Sequence, residues 1–338
     1  MINIHNNISL KKYNSFGIEA FAKHFVEINQ ECELTELFKH KEVISQPILI
    51  LGGGSNLLFK QNFEGLLIKI NIKGISYTVE KNTVLMVAGA GEVWNDVVKY
   101  AVSHNFAGLE NLSLIPGSVG ASPIQNIGAY GTELKDVFES CTAFEIGTAK
   151  IKTFYKNDCH FSYRESIFKQ ALKGKFIITS VTFKLSLSAI VNTQYGAILS
   201  ELALRNIHNP TIKDVSEVVS HIRVSKLPNP STIGNAGSFF KNPIISVTEA
   251  NKLLLNYPDA VHFTVDNNYI KFAAGWFIEQ CGWKGKVVGN TGTWKNQALV
   301  LVNYGNATGK EIYDFSTLII NSVEKKFNIT LEREVNII

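Results

Sequence analysis

Two glycine-rich segments hold the residues whose types and spacing could do chemistry. The first is Leu51-Gly52-Gly53-Gly54-Ser55-Asn56. Three glycines directly after an apolar strand let the backbone turn through positive φ and approach a ligand closely, because no Cβ stands in the way. Successive N–H groups in such a turn can cradle a pyrophosphate, although a plain tight turn uses the same residues. The spacing is not the G-x-G-x-x-G of a dinucleotide-binding βαβ unit, and Leu57-Leu58-Phe59 reads as further strand. The second segment runs from Leu114 to Gly131 with four glycines and two prolines, yet it keeps Ile and Val throughout. An exposed loop is more polar, so this stretch reads as packed against something large and flat, with Gln125 and Asn126 as polar contacts. A packed structural loop is the alternative. One segment suited to pyrophosphate and one suited to a planar ring together point to a flavin dinucleotide.

The elements that must position these segments can be read from periodicity and punctuation. Glu31–His40 is helix-like, Pro47–Leu51 is a buried strand that runs into the glycines, and Leu66–Ile70 is a second strand. Beyond residue 74 come a strand at Thr83–Ala88, an amphipathic helix at Val93–His104 and an irregular stretch at Leu109–Gly131. Strands follow at Thr142–Ile146, Ala149–Phe154 and Phe176–Leu185, an α+β pattern rather than a regular alternation. Residues 190–210 read as a connection. Asp214–Lys226 is a helix with Val215, Val218, Val219 and Ile222 on one face, closed by Pro228 and Pro230. A helix at Ala273–Cys281, a strand at Ala298–Asn303, a helix at Gly309–Phe327 and a strand-like tail at Ile329–Ile338 complete the chain.

Bulk properties limit the function classes. A length of 338 residues suggests two or three domains, and 45% hydrophobic with 18% charged residues is an ordinary globular balance. The net charge of +4 can help draw an anionic ligand into a cleft, but Lys and Arg are scattered, so no nucleic-acid partner is expected. The four cysteines show no metal or redox spacing, so reduced thiols, no metal and a cytoplasmic setting are expected. The opening Met-Ile-Asn-Ile-His-Asn-Asn lacks a basic region followed by an apolar stretch, and no apolar run reaches the ~18 residues that span a bilayer. Neither a leader nor a membrane partner is expected.

Gly52–Asn56, Ala88-Gly89-Ala90-Gly91 and Ile115–Gly131 resemble the FAD-binding domain of UDP-N-acetylenolpyruvoylglucosamine reductases. The resemblance continues in order through Phe161-Ser162-Tyr163-Arg164-Glu165-Ser166-Ile167-Phe168, Lys226–Pro230, Gly234–Pro243 and Leu331-Glu332-Arg333-Glu334-Val335, over nearly the whole chain. It implies an α+β fold: a vanillyl-alcohol-oxidase/PCMH-type FAD-binding domain in two subdomains, then a C-terminal α+β substrate-binding domain. The expected boundaries are 1–70 for the first FAD-binding subdomain, with the strand 329–338 expected to return to it, and 71–188 for the second, with an FAD domain of about 17–188 overall. Residues 189–213 are then a connection carrying a substrate loop, and 214–328 the substrate-binding domain. The cofactor implied is non-covalent FAD, with NADPH as hydride donor. No His lies within either glycine segment, whereas many oxidases of the wider group attach flavin through a His. The substrate implied is UDP-N-acetylglucosamine enolpyruvate, reduced to UDP-N-acetylmuramate for peptidoglycan, hence for cell shape and division. A monomer is expected.

The resemblance also assigns residues. FAD contacts fall on Gly52, Gly53, Gly54, Ser55, Asn56, Ile115, Pro116, Gly117, Ser122, Gln125, Asn126, Ile127 and Gly128, and catalytic roles on Arg164, Ser238 and Glu334. Hydride passes from NADPH to flavin and on to substrate C3. The charge that develops at C2 and in the adjacent carboxylate needs cationic and hydrogen-bonding partners, which suits Arg164 and a protonated Glu334. C2 then takes a proton, and a positioned Ser238 hydroxyl can give one to so basic a centre. Substrate contacts carry over to Tyr130, Tyr163, Tyr195, Arg223, Lys226, Asn242 and Gln280. Tyr195 matches the tyrosine of a loop that covers the nucleotide diphosphate in one subclass. Arg223 and Lys226, three apart, share a helix face on which one anion could meet both. A solvated face is the plainer reading. The chain departs from the family in having Arg333 where Pro usually separates the two glutamates, which adds a cation and a freer backbone beside Glu334; it also ends four residues after Glu334. The competing readings are an FAD-dependent oxidase of the same fold and a non-catalytic nucleotide-binding module.

Overall fold

The computed structural model describes residues 2–39, 44–188 and 191–338. Their contacts group into two units. One comprises the chain up to Ile8, Ala22–Gly53 and Glu64–Arg223; the other comprises Ser9–Phe21, Gly54–Phe63 and Val224–Ile338. The Gly52-Gly53-Gly54 run is therefore where the chain leaves one unit for the other.

Among the described residues the first unit holds two large sheets and a two-stranded ladder of Gly128–Ala129 with Thr132–Glu133. A four-stranded sheet has the order His5–Ser9, Phe21–Ile28, Phe63–Ile70, Ile48–Leu51, and its last pair is parallel with Leu51 opposite Lys69. A five-stranded antiparallel sheet has the order Lys150–Tyr155, Phe138–Glu145, Phe176–Ser186, Thr83–Gly89, Ile75–Glu80. Val84, Met86 and Ala88 are buried while Thr83, Leu85 and Val87 are only half-buried, the two-residue alternation of a strand with one face on a core. The central strand Phe176–Ser186 brings Ile177, Val181 and Phe183 into that core, where they meet Val97, Val98 and Ala101 of the helix Trp94–Ser103. The elements expected here are observed to within a few residues, whereas the strands His5–Ser9, Phe21–Ile28 and Ile75–Glu80 are not among those expected. The helix expected at Glu31–His40 runs Glu31–Leu37, and His40 lies outside the described residues.

The stretch read as a connection contains a helix, Gly196–Leu204. It starts on a glycine and is apolar on most sides, so it lacks a clear polar face; Ile198 and Leu202, one turn apart, are its buried residues. They pack with Val215, Val218, Val219 and Ile222 of the helix Ile212–Lys226 as a small separate core.

The second unit has an antiparallel sheet in the order Gly234–Ser238, Gln297–Asn303, Thr291–Trp294, Val287–Val288. A smaller sheet joins Ile244–Ser246, Tyr269–Phe272 and His262–Thr264. The helix Gly309–Phe327 has the bounds expected from sequence, for local reasons. Thr308 and Glu311 form a capping box at its start, Asn328 ends it in the left-handed conformation, and Ile312, Phe315, Ile319, Val323 and Phe327 make its buried stripe. The C-terminal tail forms the short strand Asn336–Ile337, which pairs in parallel with Leu57–Leu58.

Trp94 pins the irregular glycine stretch to the first unit's core. Its ring is buried against Phe183, its indole N–H donates to Leu112 O at 2.9 Å, and its backbone N–H donates to Gly117 O at 3.0 Å. Trp94→Phe keeps an aromatic ring but removes the indole N–H and part of the buried volume, so urea denaturation should show a loss of about 1–3 kcal/mol or more.

Candidate active site

In the first unit the glycine motifs converge. A Cβ on Gly53 would stand 2.7 Å from the Gly117 Cα, and one on Gly120 would stand 2.6 Å from the Ala90 Cβ, so the chains approach at distances that only glycine permits. Hydrogen bonds hold the turns in place: Gly120 N–H donates to Ala90 O, Val119 N–H to Glu92 O and Ala90 N–H to Thr179 O, each at 2.9 Å. The Lys69 ammonium, opposite Leu51 on the neighbouring strand, donates to Gly52 O at 2.5 Å. Burial lowers the Lys69 pKa, with Glu27 acting against that shift. Beside Gly52 lies the hydroxyl of Ser118, buried and without a hydrogen-bond partner among the described residues. A cradle of glycine backbone with a cation and an orphan hydroxyl fits an anionic diphosphate, the group that FAD presents.

The second part of the same stretch builds a support for Arg164. Ser162 and Glu165 exchange backbone hydrogen bonds at 3.1 and 3.2 Å, closing a tight turn on Tyr163-Arg164. Arg164 sits at φ 57°, a left-handed conformation that is costly for a side chain with a Cβ. Its guanidinium donates to Gly128 O at 2.8 Å and lies 5.3 Å from the Tyr163 ring centroid. Asn126, buried and also left-handed, donates to Ser162 O at 3.0 Å and to Glu133 at 3.1 Å, and accepts from Lys135 N–H at 3.0 Å. The Asn126 side chain, expected to contact the cofactor, also positions the Arg164 turn. Ser122, also expected to contact it, donates its hydroxyl to Val119 O at 2.7 Å.

Tyr130 and Tyr195 meet edge to face at 5.3 Å, and Asn111 fastens both neighbourhoods by donating to Tyr130 O and to Asn192 O. Burial pushes the Tyr130 phenol up, and the charge of Arg223 opposes that shift. Arg223 donates to Leu114 O at 3.2 Å, and its own pKa is lowered by burial. The structure therefore groups Tyr130, Tyr195 and Arg223, with Asn111 as a fastener that the sequence reading did not single out. Lys226, the last residue of its helix, is exposed.

In the second unit, Ser238 ends its strand at an irregularity, the register shifting between Asn235 and Ser238 with Gly237 at φ +68°. That break leaves Ser238 exposed while Phe239 and Phe240 are buried. The C-terminal motif runs antiparallel beside it: Lys241 N–H donates to Glu332 O at 2.9 Å, Phe240 bridges Arg333, and Glu334 N–H donates to Phe239 O at 2.8 Å. Ser238 and Glu334 are so brought onto neighbouring extended segments. Asn56 donates to Glu334 O at 3.3 Å and its own carbonyl accepts from Asn336, fixing the other side of the motif. Arg333 points to the alternate face, where it donates to Ser316 Oγ at 2.8 Å and Thr317 Oγ1 at 2.6 Å and lies 4.2 Å from the Tyr313 ring centroid. Its cation is spent on the terminal helix. Asn242 and Gln280 stand at opposite ends of the helix Ala274–Gln280, where Asn242 Oδ1 accepts from Ala274 N–H at 3.0 Å.

Comparison with known proteins gives two matching family models: an FAD binding domain over residues 22–153 and the C-terminal domain of UDP-N-acetylenolpyruvoylglucosamine reductase over residues 229–338. The chain is 50% identical over 337 residues to the UDP-N-acetylenolpyruvoylglucosamine reductase of Flavobacterium johnsoniae, covering 99% of each chain. It is 47% identical over 338 residues to that of Amoebophilus asiaticus, covering 100% of each. Among solved structures, the Thermus caldophilus reductase superposes with a TM-score of 0.69 at 22% identity, covering 100% of this chain and 99% of that one, which shows a shared fold.

Arg333 acts as a strut, and the expected result of Arg333→Met is a loss of about 1–3 kcal/mol of unfolding free energy. Unchanged stability with turnover reduced tenfold or more would place its role at Glu334 instead.

Proposed function

The chain belongs to the UDP-N-acetylenolpyruvoylglucosamine reductase family, FAD-binding oxidoreductases of peptidoglycan synthesis, and from that premise we propose how its own residues serve the reaction. The substrate is UDP-N-acetylglucosamine enolpyruvate, and the net change adds a hydride at C3 and a proton at C2. FAD, when bound, supplies the hydride that it takes from NADPH. Gly52 and Gly53 with Gly117 hold its diphosphate through backbone N–H groups. Gly54, Ser55, Asn56, Ile115, Pro116, Gln125, Ile127 and Gly128 serve it as further contacts, and no covalent link is made.

Arg164 stabilises the negative charge that spreads from C2 into the substrate carboxylate. A guanidinium braced by Gly128 O and Tyr163 meets that charge without reorganising, which is where electrostatic stabilisation gains most. Ser238 gives the proton to C2, and Glu334 hydrogen-bonds to the developing enolate carboxylate. The observation that carries these two assignments is the antiparallel pairing of their segments through Glu334 N–H and Phe239 O. Tyr130, Tyr195 and Arg223 bind the nucleotide diphosphate, and the Tyr195 segment is the substrate loop of the tyrosine-bearing subclass. The Tyr195 contact with Tyr130 and the Arg223 charge beside that phenol support this reading. Tyr163, Lys226, Asn242 and Gln280 complete the substrate contacts. The protein works as a monomer in the cytoplasm. No helix among the described residues is long and apolar enough to cross a membrane.

The test is an anaerobic visible spectrum of the purified protein. Flavin absorbance should bleach with NADPH and return on adding the enolpyruvyl sugar nucleotide; recovery only with oxygen would point to an oxidase. Ser238→Ala should leave bleaching by NADPH at the wild-type rate and slow the return of colour with substrate by two or more orders of magnitude, within the range usual for loss of a general acid. Equal slowing of both phases would refute the proton-donor role.

A further inference from the structure

We propose that Ser118 and Lys69 are a pair of diphosphate-binding residues for FAD, meeting the Gly52 turn at its α-carbon and at its carbonyl. The inference rests on FAD binding, which the family establishes, and assigns to it two side chains outside the contacts given above.

Ser118 is 5% exposed, and its hydroxyl has no partner among the described residues. A buried hydroxyl left unsatisfied is unfavourable, so it marks a place where a ligand atom completes the hydrogen bonding. The neighbouring serines are already engaged: Ser113 donates to Glu110 O and Ser122 to Val119 O. The backbone around Ser118 is fixed, since Ser118 bridges Val93 and its carbonyl accepts from Ala121 N–H at 3.1 Å. A methyl group on Gly52 would collide with the Ser118 oxygen, so that hydroxyl looks onto the turn itself.

Lys69 approaches the same residue from the neighbouring strand. One ammonium N–H is used by Gly52 O at 2.5 Å, which leaves two to donate. Its charge is half-buried, and desolvation weighs against it more than Glu27 supports it. An anion bound at the turn would supply the missing counter-charge. A strand residue whose neighbours Leu67, Ile68 and Ile70 are all buried is an unusual place for a lysine that has no such ligand.

The experiment follows FAD release from the holoenzyme on dilution, read by flavin fluorescence, in wild type, Ser118→Ala and Lys69→Met. Each variant should bind FAD about tenfold more weakly, because hydrogen bonds to a charged group are the stronger kind. Riboflavin, which carries the ring and no phosphate, should bind all three forms alike after the FAD is stripped. The stripped Ser118→Ala protein should melt no lower than stripped wild type, since it loses an unsatisfied hydroxyl rather than a hydrogen bond, and its gain in Tm on adding FAD should be smaller. Wild-type FAD affinity in either variant would remove that residue from the pair. Equal weakening of riboflavin and FAD would overturn the proposal and leave both residues as supports of the turn.

Discussion

The first unit depends on a contact that only glycine allows: the turn after Ile48–Leu51 lies backbone against backbone on Gly117, and Gly120 lies in the same way on Ala90. A Cβ at either glycine would push the turns apart, because the atoms it would meet are backbone or the first side-chain carbon and cannot swing aside. The surrounding structure serves to make this approach possible. Leu51 is held in register with Lys69, Thr83–Gly89 carries Ala88-Gly89-Ala90-Gly91 out of the five-stranded sheet, and Trp94 anchors Leu112 and Gly117 from below. The packed core sets the turns close together, and their closeness aligns backbone N–H groups for an anion.

The second unit solves a different problem, placing a hydroxyl and a carboxyl on adjacent segments without burying either. Side chains alternate along an extended chain. In Leu331-Glu332-Arg333-Glu334-Val335, Leu331 and Val335 are buried, and Arg333 reaches Ser316 and Thr317 on that side. The glutamates are left for the opposite side. Arg333 therefore continues the alternation along this segment. The break in the opposing strand at Ala236-Gly237 turns Ser238 outward just before two buried phenylalanines close the core again.

Much of this was legible in the sequence because the signals were local. The capping box at Thr308 and Glu311, the 3–4 spacing of Ile312, Phe315 and Ile319, and the two-residue alternation of Val84, Met86 and Ala88 each specify an element from adjacent residues alone. The helix Gly196–Leu204 was not legible, since an apolar segment with a leading glycine has no polar face to reveal a period. Side-chain commitments were illegible for a different reason. Asn126 and Ser122 have protein partners as well, Ser162 O and Glu133 for the first and Val119 O for the second, and the Asn126 partners depend on how a stretch dozens of residues long folds back. Ser118 stands in the same motif and was not singled out, because only coordinates show which hydroxyl is left without a partner.

The commitment of Asn126 couples the two halves of the first unit's chemistry. Leu114, Asn126, Tyr130 and Arg164 all adopt positive φ without being glycine. Such residues cost roughly 1–3 kcal/mol each and persist only where the surroundings over-determine them. Here the determinants are visible. Leu114 is held by Asn95 at its N–H and by Arg223 at its carbonyl, Tyr130 by Asn111 at its carbonyl, and Arg164 by the Ser162–Glu165 exchange together with Lys169 at its carbonyl. Asn126 links the glycine stretch to the arginine turn through Ser162, and Arg164 returns the link through Gly128 O. The Arg164 turn and the segment from Asn126 to Gly128 are thus tied to each other at two points, Ser162 O and Gly128 O. Strain at these four residues is therefore held in place by hydrogen bonds on both sides of the arginine turn.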